Sequence, residues 1–307
     1  SQIAAGSISG GVLNSGVIQS GQGPALLIYG GVVSGGLTNT GSIIGYTNSG
    51  GGLRILNSTL VGGVKNTGYI YGAVNPFNPP ASMLGFAITG STIVGGINNV
   101  GGSIVGGLTG INLLNSDFTG GLSNSGLIAG LNGIAINATG LPTTQTVTNA
   151  QTGQIIGAVN GNFDVSNSGL LALQTLSAVG GSITPGSHVN ASIDGNYVQS
   201  GSGVLRIGVA GSAGSGANPG NYSTLTVGGL ASFASGSQIM VYSNNLDAVG
   251  ANGNLTVVGT SGVSAGLTVS GLTVLDTLVA ERVDQPVILL TGHGTVEMCR
   301  RAFKSGA

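Results

Sequence analysis

Tryptophan is absent from this 307-residue chain, cysteine occurs once, and only 5% of the residues carry a charge. Each shortage excludes something. The lone Cys299 leaves residues 1–298 without a disulfide, a thiolate metal site or a cysteine nucleophile, so stability must rest on packing and hydrogen bonds. A formal net charge of -1 provides neither a basic surface for a phosphate backbone nor an acidic block that would solvate a tail, which excludes nucleic acid as a partner. Mean hydropathy is positive, yet no window reaches the uninterrupted apolar length of about 18 residues that a membrane-spanning helix needs. The chain opens SQIAAGSISGG, without the basic and apolar regions of a signal peptide, so a secreted form is expected to be already processed.

Glycine is abundant instead, with 61 residues, and it recurs in a pattern. The segments SISGGVLNSGVIQSG (7–21), VVSGGLTNTGSIIG (32–45), STLVGGVKNTGYIYG (58–72), STIVGGINNVGGSIVG (91–106) and SDFTGGLSNSGLIAG (116–130) are copies of one unit. Asn14, Asn39, Asn66, Asn99 and Asn124 anchor it, with looser echoes at Asn149 and Asn167. Within each unit apolar residues alternate with small or polar ones in bursts of three to five, as in Tyr69-Ile70-Tyr71, and glycine pairs interrupt the bursts. That is the period of short strands; a helix would lose about 1 kcal/mol at each glycine relative to alanine. The Asn-x-Gly element is expected to turn the chain, because asparagine tolerates the left-handed backbone region and glycine needs no side-chain room.

Three short strands and three corners in about 25 residues describe one coil of a parallel β-helix, stacked on the next at about 4.8 Å. The expected fold class is all-β, a right-handed parallel β-helical solenoid with a short C-terminal strand and helix tail. Asn14, Asn39, Asn66, Asn99 and Asn124 are expected to form a structural ladder, each amide bonding to the next coil. A β-propeller fits less well, since its blades run about 40 to 45 residues and carry aromatic signatures.

Catalytic patterns are few. Gly262-Val263-Ser264-Ala265-Gly266 fits the G-x-S-x-G elbow, but the sequence is strand-like on both sides, and His188 and His293 are the only histidines. Asp117, Asp164, Asp194, Asp247 and Asp276 are isolated acids, and Arg54, Lys65 and Arg206 are the only bases before residue 281, a poor supply for a polysaccharide-cleaving groove. No repeat carries the aspartate of a calcium-binding nonapeptide. The sequons Asn57-Ser58-Thr59 and Asn137-Ala138-Thr139 are expected by chance in such a composition. No catalytic, cofactor or metal site is expected, and a neutral surface of Ser, Thr, Asn and Gly suits contact rather than turnover.

From about residue 175 the strands lengthen, as in Val204-Leu205-Arg206-Ile207 and Thr224-Leu225-Thr226-Val227. The run Gly195-Asn196-Tyr197-Val198-Gln199, then Leu205-Arg206-Ile207, then Tyr222 with Leu225-Thr226-Val227-Gly228-Gly229, then Gly236-Ser237-Gln238-Ile239, resembles the C-terminal segment of autotransporter passenger domains. In that family the segment precedes an outer-membrane barrel and helps the passenger fold. The resemblance covers residues 1 to about 280, strongly over 195–245. It implies an extracellular or bacterial cell-surface location, a non-enzymatic role in adhesion, self-association or as a stalk, and partners such as a surface glycan or protein. Outer-membrane attachment would depend on a barrel, whose strand pattern does not occur in this chain. The alternative is a β-helical carbohydrate-active enzyme.

The end of the chain, PVILLTGHGTVEMCRRAFKSGA, is different in kind. Val287 to Leu290 reads as a buried strand and Thr295 as the N-cap of a helix reaching Lys304. This resembles the fourth strand and following helix of response-regulator receiver domains, with Thr291 at the position of the phosphorylation-sensing hydroxyl. The rest of a receiver's acidic pocket has no counterpart, so the tail is expected to be a graft joined near residues 281–285. The expected organisation is therefore repeats over 1–174, a capping and folding region over 175–280, and a foreign tail over 281–307.

Overall fold

Among the described residues, alternating inward aliphatic and outward small or polar residues produce 31 strands, most of them short, and no helix. The computed structural model describes residues 1–4, 6–46, 51–72, 83–179, 182–209, 222–243 and 258–263; the receiver-like tail, with Thr291 and His293, lies outside them. Among the described residues every strand pairing but one is parallel, and most strands pair with their equivalents in the neighbouring repeats. The fold is a parallel β-helix.

Each early coil contains four strands rather than the three expected from the sequence. In the second coil they are Leu26–Tyr29, Val32–Val33, Leu37–Asn39 and Ser42–Gly45. The extra corner lies at the glycine pair. Gly36 and Gly63 take φ of 71° and 70°, and a Cβ on Gly63 would sit 2.5 Å from the Gly96 carbonyl oxygen, so no side chain fits where these corners stack. At the corner after the first strand, two asparagines occupy the left-handed region instead, Asn57 at φ 47° and Asn115 at φ 45°.

Inward columns of apolar side chains, two of them from the first strand position, form the core. The fourth strand position stacks Ile43, Ile70, Ile104, Ile128 and Ile155, all fully buried, and continues into Leu171 and Leu205. The third position stacks Leu37, Val64, Ile97, Leu122, Val147 and Val165. β-branched residues suit such columns because their restricted side-chain torsions lose little freedom on the pleated surface.

The second position forms a separate five-stranded sheet that ends at Asp117–Thr119. One coil later, at the 25-residue spacing of Asn124 and Asn149, Pro142 takes the place of Asp117. Proline has no N–H to donate to the ladder, so the sheet stops there. Beyond this point the corners straighten and strands fuse, as in Leu127–Thr139 and Gln154–Gly161. The one antiparallel pair is the hairpin of Leu170–Val179 and Ser182–His188. The strands Tyr197–Gln199, Val204–Val209, Leu225–Phe233 and Gln238–Ser243 continue the parallel stack beyond it.

Candidate functional site

The repeated asparagines are the first residues to place. Asn39, Asn66, Asn99 and Asn124 are fully buried and Asn14 is 6% exposed, all at the last residue of the third strand position. Each Nδ2 donates to the next Oδ1: Asn14 to Asn39, Asn39 to Asn66 and Asn66 to Asn99 at 2.7 Å, and Asn99 to Asn124 at 2.8 Å. The column continues through Asn149 and Asn167, the two looser echoes in the sequence, at 2.9 and 2.8 Å. The same Nδ2 atoms also reach backbone carbonyls, as Asn66 does to Gly68 and Ser103. The chain bends just after these asparagines, as expected, but none of them takes a positive φ, so the left-handed asparagine is not what makes the turn. Their side chains face inward, where an unpaired amide would carry a desolvation penalty.

The glycine of Asn-x-Gly likewise serves a different purpose from the one expected. Gly41, Gly68 and Gly126 do not need a positive φ; a Cβ on any of them would collide with the carbonyl oxygen of Gly16, Gly41 or Gly102, respectively, on the preceding coil. Close stacking, not backbone handedness, selects glycine there.

After Asn167 the column changes chemistry. Asn167 donates to the Tyr197 hydroxyl at 3.3 Å, Tyr197 donates to Gln199 Oε1 at 2.6 Å, and Gln199 Nε2 donates to the carbonyls of Gly203 and Gln238. Phe233 follows Gln199 in register and lies 5.6 Å from the Tyr197 ring. Burial pushes the Tyr197 hydroxyl above the ordinary phenol range, with the Asn167 hydrogen bond opposing the shift. A second ladder, which the sequence reading missed, runs along Ser58, Ser91 and Ser116. Gly31, Ser58 and Ser91 N–H donate to the hydroxyls of Ser58, Ser91 and Ser116, and each hydroxyl donates to the carbonyl two residues before it. The signal was the serine opening three successive repeats, at 58, 91 and 116.

Of the residues that sequence patterns marked for catalysis, Asp247, Ser264, Asp276 and His293 lie outside the described residues. Gly262 and Val263 end the strand Val258–Val263. His188 lies on the hairpin opposite Gln174. Its Nδ1 and the buried Gln174 Oε1 have no hydrogen-bond partner among the described residues, whereas Ser223 beside them accepts from Val189 and Gly208 N–H and donates to the Leu173 carbonyl. Asp117 lines a shallow depression with Thr92, Asn115, Gly140 and Pro142, and Asp164 accepts both N–H and Nδ2 of Asn196. No group of three or more His, Cys, Asp or Glu side chains converges among the described residues.

The outward side of the fourth strand position carries a feature of another kind. Tyr71, Val105 and Ala129 stack in register, flanked by Tyr69 and Leu127. Val105 and Ala129 are buried against Leu131 and against Leu176 of the hairpin, and Tyr69, Tyr71, Leu127 and Ile156 pack around them. The Tyr69 and Tyr71 rings stack at 5.5 Å and 22°. Burial, then the neighbouring Tyr71 and Tyr46, push the Tyr69 hydroxyl up to about 12. Comparison of the chain with protein-family models, curated proteins and solved structures finds no match.

Proposed function

We propose that this chain is a non-enzymatic segment of an autotransporter-like passenger, extracellular or displayed on a bacterial surface, which acts by contact: in adhesion or self-association, or as a stalk. The observation that supports the reading is the division between inside and outside. The interior repeats its geometry from coil to coil, using asparagine, serine and glycine to lock one coil to the next, and the outward positions present hydroxyls, amides and a few apolar side chains with little charge. A surface of that kind offers area and hydrogen bonds to a partner but few groups able to move protons. In this reading residues 175–280, where the amide ladder gives way to Tyr197, Gln199 and Phe233, help the preceding coils to fold and cover their end.

The test is a bead assay. Beads coated with the purified chain should clump with one another or adhere to a glycan-bearing cell layer, equally at low and high salt, since few charges are present to be screened. Coated beads that neither clump nor adhere would leave only the stalk role.

A further inference from the structure

We propose that the face of the first coil turned away from the second is a docking surface for one more coil of this repeat, carried by another polypeptide. The proposal rests on the fold and is independent of the contact role. Its starting point is a set of residues whose purpose is visible in the later coils and unmet in the first. Each ladder asparagine from Asn39 to Asn167 receives an N–H on its Oδ1, whereas Asn14 Oδ1 receives none among the described residues. Gly41 and Gly68 must be glycine because a Cβ would collide with the Gly16 or Gly41 carbonyl oxygen of the coil before. Gly16, at the same place in the motif, meets nothing within 4 Å and has no positive φ. Gly10 also meets nothing within 4 Å, although a Cβ on its counterpart Gly35 would press on the Gly10 and Gly11 backbone.

The inward columns end in the same way. Ile3, Ile8, Val12 and Ile18 are only partly buried, while their partners in register, Ile28, Val33, Leu37 and Ile43, are 0 to 2% exposed. The backbone agrees: Thr40 and Ser42 N–H donate to the Asn14 and Gly16 carbonyls, and Ser15 and Val17, one coil earlier, make no such bond among the described residues. Exposed strand edges are commonly blunted by lysine or proline. The strands of this coil, Gln2–Ala4, Ser7–Ile8, Val12–Asn14 and Val17–Ser20, carry neither. An occupant must therefore supply parallel backbone pairing, apolar side chains over the ends of the columns and a side-chain N–H over Asn14 Oδ1. A coil of this repeat, with asparagine closing its third strand, supplies all three through the geometry that already joins the first coil to the second. A second copy does not. The last described residue of the ladder column is Phe233, which has no side-chain donor, so head-to-tail stacking leaves Asn14 Oδ1 unpaired. Two first coils face to face bring two acceptors together, since each Asn14 Nδ2 already donates to Asn39.

The test tethers the peptide STLVGGVKNTGYIYG, residues 58–72, to a sensor surface through its N-terminus and passes the full chain over it. Binding is expected, and about tenfold weaker to the peptide carrying Asn66→Ala, which lacks the donor for Asn14 Oδ1. A scrambled peptide of the same composition should bind nothing. Gly16→Ala in the chain is the decisive variant. It puts a methyl group where the incoming carbonyl must sit, so binding should be lost while thermal unfolding stays unchanged. If Gly16→Ala does not fold, Gly10→Ala carries the comparison. No binding to the natural peptide, equal binding to the scrambled one, or binding that ignores Asn66→Ala or the glycine variant overturns the proposal. So does sedimentation in which the chain associates by itself and Gly16→Ala abolishes the association, which would assign the face to a second copy.

Discussion

Asn99 shows what one residue does in this fold. Its Nδ2 donates to Asn124 and its Oδ1 accepts from Asn66, so Asn99→Ala takes one acceptor from Asn66 Nδ2, which keeps the Gly68 and Ser103 carbonyls, and one donor from Asn124 Oδ1, which keeps the Gly126 N–H. At about 1 to 3 kcal/mol for a buried polar group that loses its hydrogen bond, the expected loss is about 1 to 3 kcal/mol in urea unfolding, larger than for Asn14→Ala at the end of the ladder. Glycine provides a sharper test, because one motif gives opposite outcomes. A Cβ on Gly68 meets the Gly41 carbonyl and one on Gly16 meets nothing within 4 Å, so Gly68→Ala should destabilise strongly and Gly16→Ala should not. Equal effects would return the glycines to a turn role. Tyr197 predicts a pH dependence. Its hydroxyl is raised in the fold above the ordinary value of about 10, so its contribution is full below that pH and is lost as pH rises through the folded value, the unfolded chain releasing the proton first. Melting temperature should be level to about pH 9 and fall above pH 10, less steeply in Tyr197→Phe. The asparagine column was legible because asparagine recurs within the same short core in each repeat, although the spacing varies from 25 to 33 residues over Asn14 to Asn124. Its continuation was not, because Gln199 and Phe233 keep the position and abandon the residue type.

At the scale of the strand, inward and outward facing follows from alternation, and the coil of Tyr69–Gly72 shows it most simply. Ile70 is fully buried between Ile43 and Ile104, with tyrosines on either side turned outward. Ile70→Asp places a carboxylate in an isoleucine stack with no partner and should abolish cooperative unfolding, whereas Lys65→Asp, on an exposed position of the same coil, should change stability by no more than about 0.5 kcal/mol. Circular dichroism melts of the two variants decide the point; a stable Ile70→Asp would refute the register. Alternation made the strands and their facing readable in Tyr69-Ile70-Tyr71. The number of strands per coil was not readable, because a glycine pair between two bursts looks the same whether it joins or divides them.

For the molecule as a whole, stacking makes the fold one-dimensional. Nine positions of the ladder column, from Asn14 to Phe233, span about 40 Å at the strand spacing of about 4.8 Å. Each coil touches its neighbours above and below, so stability is close to a sum of coil terms and interface terms, and damage should spread by proximity along the axis. Asn66→Ala makes this measurable. It removes the link between Asn39 and Asn99, and the coils holding those residues lose their shared amide contact while the two coils of Asn167 and Gln199 keep every bond they had. Hydrogen exchange followed by mass spectrometry should therefore rise in peptides covering Leu37–Asn39, Val64–Asn66 and Ile97–Asn99 and stay unchanged in peptides covering Tyr197–Gln199 and Val204–Val209. A compact globular core would respond in the opposite way, opening everywhere at once with the free energy of global unfolding. Uniform acceleration across all peptides would thus show that the coils unfold as a single unit, and that the long aliphatic columns, rather than the local amide links, set the cooperative length of the helix.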